Sequence, residues 1–185
     1  MLTTEQKNQQ VEEGTLRLMT LGEISMARRV FGKSVTYSRV WVHCDSYLPF
    51  GLQGKHVGMS PNGEIYFRKE EYEVDFSRVR MYKKQHLFIH ELAHVWQHQH
   101  GQWVRLRGAF SWAANYNYRL DVNKTLTNYS LEQQASIIAD YWLLICYGYD
   151  TWGDGLGWLV KYVGPQDSAI RFKYEQVLAK FLRQR

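Results

Sequence analysis

The sequence predicts an α+β fold that is mostly helical and contains one small sheet. Helical patterns fill both ends of the chain, short segments rich in Val, Tyr and Trp lie between them, and strands do not alternate regularly with helices. With 185 residues, of which 45% are hydrophobic and 22% charged, the composition predicts a single globular domain over 1–185. Within it we expect N-terminal helices over 1–32 and a C-terminal loop and helix over 148–185 that pack on the rest.

Local signals justify these elements in chain order. Capping boxes, in which a threonine precedes Gln or Glu by three residues, start the first two helices at Thr3 and Thr20, and Gly32 ends the second. β-branched and aromatic residues indicate strands, and clusters of Gly, Pro, Asn and Ser indicate loops. Apolar residues at helical spacing after Ser130 indicate the fourth helix. The predicted elements are helices over 3–19, 20–31, 81–100, 131–147 and 165–182, strands over 35–43 and 64–67, and loops over 48–58 and 148–157.

Charge and composition argue against several function classes. Lys and Arg number 23 against 18 Asp and Glu, and this excess of +5 is not concentrated in one segment, so we predict no nucleic-acid partner. No window reaches 18 apolar residues, and residues 1–10 lack the apolar core of a signal peptide. We therefore expect no integral membrane segment and synthesis in the cytoplasm. Cys44 and Cys146 do not form a CxxC pattern, so we expect two reduced thiols, with one disulfide as the alternative.

The residues with the clearest chemistry are His90-Glu91-Leu92-Ala93-His94, an HExxH pattern inside the third predicted helix. Residues i and i+4 share one helix face, so both imidazoles can reach one metal ion. Catalytic zinc takes such nitrogen ligands and keeps a position open for water. Glu91 lies beside the first ligand, where its carboxylate can act as general base on that water.

A third ligand must come from outside this helix. His86 and His98 continue the i, i+4 stripe, but the outer members of three such histidines are about 12 Å apart along a helix and cannot close around one ion. Glu132, 38 residues after His94, is the favoured ligand, and a role as partner of the helix dipole is the alternative. The remaining candidates are Asp121, His43 and His56.

Two further roles have candidates of their own. Asp140 follows Glu132 by eight residues on nearly the same helix face, where it could hydrogen-bond a ligand histidine or form a structural ion pair. Hydrolysis also needs a hydrogen-bond donor to the tetrahedral oxyanion. The tyrosines that could donate this bond, or could instead belong to the core, are Tyr116, Tyr118 and Tyr129.

Several segments together point to a known family. They are HELAHVWQ at 90–97, YNYRL at 116–120, YSLEQQA at 129–135, IADY at 138–141, RRVFG at 28–32 and MSPNG at 59–63. The chain resembles the Vgr-related (Rhs/Vgr-associated) HExxH metallopeptidase domains of bacterial type VI secretion over about residues 21–141. This resemblance implies a zincin-like fold with the small sheet beside the HExxH helix. It also implies zinc on His90, His94 and Glu132, with Glu91 as base.

The resemblance further implies a function and partners. The chain would be a zinc peptidase that hydrolyses a protein or peptide substrate, delivered by type VI secretion as an antibacterial toxin into the target-cell periplasm. Its partners would be a cognate immunity protein and a spike or Rhs component of the secretion system.

An alternative function is open from the residues themselves. The chain could be a non-catalytic protein-binding module stabilised by structural zinc. His86 or Asp140 would then supply a fourth ligand and close the site.

The sequence also departs from a common gluzincin pattern, because Ser136 stands one turn after Glu132, where an acid often occurs.

Overall fold

Two long helices pack against each other beside a four-stranded sheet in the computed structural model, which describes residues 11–102 and 115–184. The elements of these ranges are strand β1 (Thr15–Leu18), helix α1 (Leu21–Phe31), strands β2 (Trp41–Cys44), β3 (Gly58–Met59) and β4 (Ile65–Phe67), and helices α2 (Tyr82–Gln99), α3 (Leu131–Asp154), α4 (Ile170–Val177) and α5 (Ala179–Arg183). This mixed architecture with one small sheet confirms the predicted α+β class. Among the helices described, none is long and apolar enough to cross a membrane.

The sheet has the strand order β1-β2-β4-β3. β2 runs antiparallel to β1 and parallel to β4, and β3 runs antiparallel to β4. The central strands bury their inward-facing side chains against the helices. These side chains are Val42, Cys44, Ile65 and Phe67. The arrangement leaves β3 at the edge of the sheet, in contact with α2.

The helix starts follow the capping signals of the sequence. In α1, Thr20 Oγ1 accepts the N–H of Glu23, and the Glu23 carboxylate accepts the N–H of Thr20, so the capping box is complete. Gly32 then ends the helix at φ 54°, a left-handed conformation that glycine adopts without steric cost. At α3, Ser130 accepts the N–H of Gln133. The helices predicted over 20–31 and 81–100 are confirmed.

The C-terminal third differs from the prediction in its details. Gly148 has φ 87° and ψ 175°, which interrupts α3 where the sequence predicts its end. The chain then resumes a helical conformation as far as Asp154, so the predicted loop over 148–157 is wrong for those residues. The closing helix is two shorter helices, α4 and α5, rather than one over 165–182.

The prediction of a first helix over 3–19 is wrong for the part of that range that the structure describes. Its start, with the Thr3 cap, lies outside the described residues, and Thr15–Leu18 form β1. This strand pairs along its full length with β2, from Thr15 opposite Cys44 to Leu18 opposite Trp41. Pairing with a strand some 25 residues away outweighs the local helical pattern.

Smaller differences affect the other strands and the thiols. The strand predicted over 35–43 is preceded by a 3₁₀ turn at Tyr37–Arg39 and shortens to Trp41–Cys44. The predicted loop over 48–58 ends in β3. Cys44 and Cys146 are both free, as expected, although only Cys44 is buried and Cys146 is half-buried.

An ion pair between Arg17 and Glu23 joins β1 to α1. The guanidinium donates to both carboxylate oxygens, at 2.8 and 2.7 Å. The Glu23 side chain is fully buried and also accepts the backbone N–H groups of Thr20 and Phe76. Arg17 donates in addition to the carbonyl of Glu73. One buried carboxylate thus holds a strand, a helix and the segment before α2 together.

We expect Arg17→Met to destabilise the protein by about 3 kcal/mol or more, because it leaves a buried carboxylate without its cation. Urea unfolding would measure the change. Arg171→Met is the matched control, since it breaks an exposed pair with Glu175 and should cost no more than about 0.5 kcal/mol. Equal losses in the two variants would contradict a special role for the Arg17–Glu23 pair.

Candidate metal centre and active site

His90 and His94 project from one face of α2 toward Glu132 in the first turn of α3. One potential ligand atom of each residue lies within 4.8 Å of the other two. Glu132 Oε2 is 3.1 Å from Nε2 of His94 and 3.5 Å from Nε2 of His90. Helical spacing aligns the two histidines, and the packing of α2 on α3 brings the carboxylate to them.

This donor set fits a divalent transition metal such as zinc. Two imidazole nitrogens and one carboxylate oxygen are ligands that catalytic zinc takes. A tetrahedral ion about 2.0–2.1 Å from each ligand atom holds those atoms roughly 3.3 Å apart. The distances of 3.1 and 3.5 Å from the carboxylate oxygen to the two nitrogens are close to that separation.

The contact between Glu132 and His94 shifts the pKa values of both groups. Burial disfavours charge on His94, but its hydrogen bond to Glu132 and the charge of that carboxylate outweigh burial and raise the pKa of His94 to about 9. Burial also disfavours charge on Glu132, but His90 and His94 hold the pKa of this carboxyl well below its ordinary value. Glu132 therefore stays ionised, which metal binding requires of a carboxylate ligand.

Gln97 fixes the orientation of the His94 ring through a hydrogen bond. Its side chain is fully buried, and its Oε1 accepts a hydrogen bond from His94 Nδ1 at 2.8 Å. Its Nε2 donates to the carbonyl of Leu131 at 2.9 Å. Because an amide oxygen only accepts, Nδ1 carries a proton and Nε2 is the nitrogen that faces Glu132. Sequence reasoning missed this role of Gln97.

Glu91 is buried where α2 meets the edge strand β3. Ser60 Oγ donates to Glu91 Oε2 at 2.9 Å. A Cβ atom at Gly58 would lie 2.5 Å from Glu91 Cγ, so only glycine fits at this approach. Burial raises the pKa of Glu91 against the opposing effect of His94 and His90, which suits a group that accepts and returns a proton. Sequence reasoning found Glu91 but gave no role to Gly58 or Ser60.

These groups line an open cavity of about 360 Å³. This volume lies within the usual range for binding sites of small ligands. Its lining includes the segment from His56 to Pro61 and the C-terminal residues Trp158, Leu159 and Lys161. The C-terminal segment, which the sequence leaves without a role, is therefore part of the cavity.

The three tyrosine candidates lie in different places. Tyr116 lines the cavity with its ring 6.1 Å from that of His90, and burial raises the pKa of its hydroxyl, so the group remains a donor. Tyr118 is buried and donates to Asp140 Oδ2 at 2.7 Å, so the structure does not place it where an oxyanion donor is needed. Tyr129 donates to the carbonyl of Arg119 and stabilises the approach to α3.

Asp140 contacts His86 rather than either histidine of the HExxH pattern. Its Oδ1 accepts from His86 Nε2 at 2.7 Å, and its Oδ2 accepts from the Tyr118 hydroxyl and the Lys161 N–H at 2.7 and 2.8 Å. The expectation that Asp140 orients a ligand histidine is therefore wrong, because Asp140 contacts His86, which lies one helical turn before His90. The position of Asp140 along α3 does not show which histidine of α2 it contacts, because the packing of the two helices decides this.

The other candidate ligands lie apart from the triad. His43 pairs with Glu64 and His56 with Glu71, while His98 is exposed to solvent. Asp121 accepts the N–H of Asn123 in a turn. In residues 11–102 and 115–184, the group of His, Cys, Asp and Glu side chains that could hold a metal is the triad of His90, His94 and Glu132.

Comparison with known proteins identifies the family. The solved effector domain of Pseudomonas aeruginosa VgrG2b superposes with a TM-score of 0.65 and 38% sequence identity, over 83% of this chain and 87% of that one. The chain belongs to the VgrG2b effector-domain family. The type VI secretion system spike protein VgrG2b of the same organism is 46% identical over 133 residues, which are 69% of this chain. No family model matches the chain.

The relation to the spike protein is confined to one part of it. The match spans 13% of the VgrG2b spike protein. The structural similarity, in contrast, covers 87% of the solved effector domain.

We expect the isolated protein to carry about one metal ion per chain, and His94→Ala and Glu132→Ala each to lose it. Three ligands around one ion leave too few donors when either is removed. Elemental mass spectrometry would measure the content and identify the metal. His98→Ala is the matched control, since it removes an exposed histidine from the same helix. Metal retained in the Glu132 variant would move the third ligand elsewhere.

Proposed function

We propose that this protein is a zinc-dependent peptidase. The observation that carries the proposal is the position of Glu91, buried beside the His90–His94–Glu132 triad at the wall of an open cavity. A structural zinc site has no need of an ionisable carboxylate between its two histidines. A general base for hydrolysis, in contrast, must lie next to the metal and remain within reach of bound water.

The residues divide the chemistry of peptide hydrolysis among them. Zinc bound by His90, His94 and Glu132 would polarise the scissile carbonyl and lower the pKa of a bound water. Glu91 accepts the proton of the attacking water and donates it to the leaving amine as the C–N bond breaks. Ser60 holds one oxygen of Glu91 in place, and Tyr116 is the tyrosine available at the cavity as a donor.

The non-catalytic alternative receives less support. A closed structural site needs a fourth protein ligand, and the sequence offers His86 or Asp140 for it. In the described part of the chain these two side chains bond to each other at 2.7 Å. The triad thus has three ligands, which is the number typical of catalytic zinc.

The family gives the proposed biological setting. The similar protein of P. aeruginosa is named as a type VI secretion system spike protein, and the similar structure as its effector domain. We therefore propose that this chain is a type VI secretion effector that acts on a protein or peptide in the target-cell periplasm. A spike or Rhs component would deliver it, and a cognate immunity protein would protect the producing cell.

Glu91→Gln should abolish most peptidase activity and leave the metal content unchanged. The amide keeps the shape and the bond from Ser60 but cannot accept a proton, so cleavage should fall by about 100- to 10,000-fold. Mass spectrometry of a cleaved peptide library would measure the loss. Glu64→Gln, at a carboxylate outside the triad that pairs with His43, is the matched control. Unchanged cleavage by the Glu91 variant would refute the mechanism.

Gly58→Ala should also lower cleavage without loss of metal. The new methyl group would displace Glu91, because its Cβ would lie 2.5 Å from Glu91 Cγ. The same peptide-library assay and metal analysis would test this. Gly153→Ala is the matched control, since a Cβ there meets nothing within 4 Å. If both glycine variants kept full activity, the close approach of β3 would have no part in positioning the base.

A further inference from the structure

One side of the cavity carries polar groups that the proposed hydrolysis leaves unused. Ser136 stands on α3 one turn after Glu132 and lines the cavity with a side chain that is 1% exposed. Among the described residues its Oγ has no hydrogen-bond partner. A buried hydroxyl without a partner is energetically unfavourable, so such groups occur where a ligand or water supplies the missing bond.

His86 lies on the same side of the cavity, one turn before His90 on α2. Its Nε2 is committed to Asp140 at 2.7 Å, and the carboxylate is held by two further donors, the Tyr118 hydroxyl and the Lys161 N–H. Because an ionised carboxylate only accepts hydrogen bonds, Nε2 carries a proton. The nitrogen that remains for a ligand in the cavity is Nδ1. In the imidazolium form of the ring, Nδ1 is a donor as well.

Lys161 adds a positive charge to this side. Its backbone is anchored on Asp140, and its side chain lines the cavity while Nζ donates to the carbonyl of Trp158 at 3.0 Å. An ammonium, an imidazole and a hydroxyl therefore line the cavity that contains the metal triad. Their common property is that each can donate a hydrogen bond to an anionic oxygen.

We propose that His86 and Ser136, with Lys161 at the rim, form a subsite that binds an anionic oxygen of the peptide. The inference rests on the proposed peptidase function. Two oxygens share this chemistry: a carboxylate of the substrate near the scissile bond, or the oxyanion that forms at the scissile carbonyl. In either case His86 and Ser136 contact the substrate, and Asp140 is a positioning residue that acts through His86.

Three ligands built on one short alanine peptide test the subsite on the zinc-loaded protein. The first is a hydroxamate with a C-terminal amide, which chelates the metal and has no other anionic group. The second is the same hydroxamate with a free C-terminal carboxylate, and the third is a phosphonate whose tetrahedral oxygens replace the scissile carbonyl. Calorimetry measures the dissociation constants for the wild type, Ser136→Ala and His86→Gln, with His98→Gln as control.

We expect the amide hydroxamate to bind all four proteins equally. Ser136→Ala and His86→Gln should each raise the dissociation constant of either the carboxylate hydroxamate or the phosphonate at least about tenfold. Each substitution removes one hydrogen bond to a charged group. A loss confined to the carboxylate form identifies a substrate carboxylate, and a loss confined to the phosphonate identifies the oxyanion. Wild-type affinity of both variants for all three ligands overturns the subsite.

Two further measurements distinguish failure of the subsite from unfolding of a variant and from failure of the peptidase site. Ser136→Ala removes only a hydroxyl without a partner, so its thermal midpoint should not fall, whereas His86→Gln could unfold the Asp140 network. The serine variant therefore tests the subsite even if the histidine variant fails to fold. Failure of the amide hydroxamate to bind the zinc-loaded wild type would count against the peptidase site itself, separately from the subsite.

Discussion

The packing of α2 against α3 is the constraint on which the candidate site depends. It places the Glu132 carboxylate 3.1 and 3.5 Å from two imidazole nitrogens that helical spacing has already aligned. Without this contact, HExxH would be two histidines and an acid on one helix. With it, one carboxylate and two imidazoles share one small volume, in which the pKa of His94 is raised and that of Glu132 is lowered. A divalent cation could bind all three groups at once.

Three side chains of the site are held by buried neighbours. Gln97 orients His94 and ties it to the start of α3, while Gly58 and Ser60 of the sheet edge enclose Glu91. Asp140 joins His86 to the C-terminal segment through Lys161. The helix pair, the sheet and the C-terminal segment are therefore parts of one site, and damage to any of them should reach the metal ligands or the base.

Local sequence signals predicted much of the fold. Capping boxes at Thr20 and Ser130 and the left-handed glycine at position 32 correctly located helices, because these signals act within one turn. The segment over 15–18 was mistaken for helix because its partner strand is distant in sequence. Gly148 correctly indicated an interruption, but nothing local showed that the helix would resume beyond it.

The same distinction separates the two halves of the candidate site. Spacing on a single helix is a local property, so the sequence alone was enough to align His90 with His94 and to put Glu91 beside them. The pairing of Asp140 with His86, the approach of Gly58 to Glu91 and the unpartnered hydroxyl of Ser136 depend on which surfaces meet. Those contacts join residues 33 to 54 positions apart, or depend on a whole cavity wall, and only the packed chain selects them.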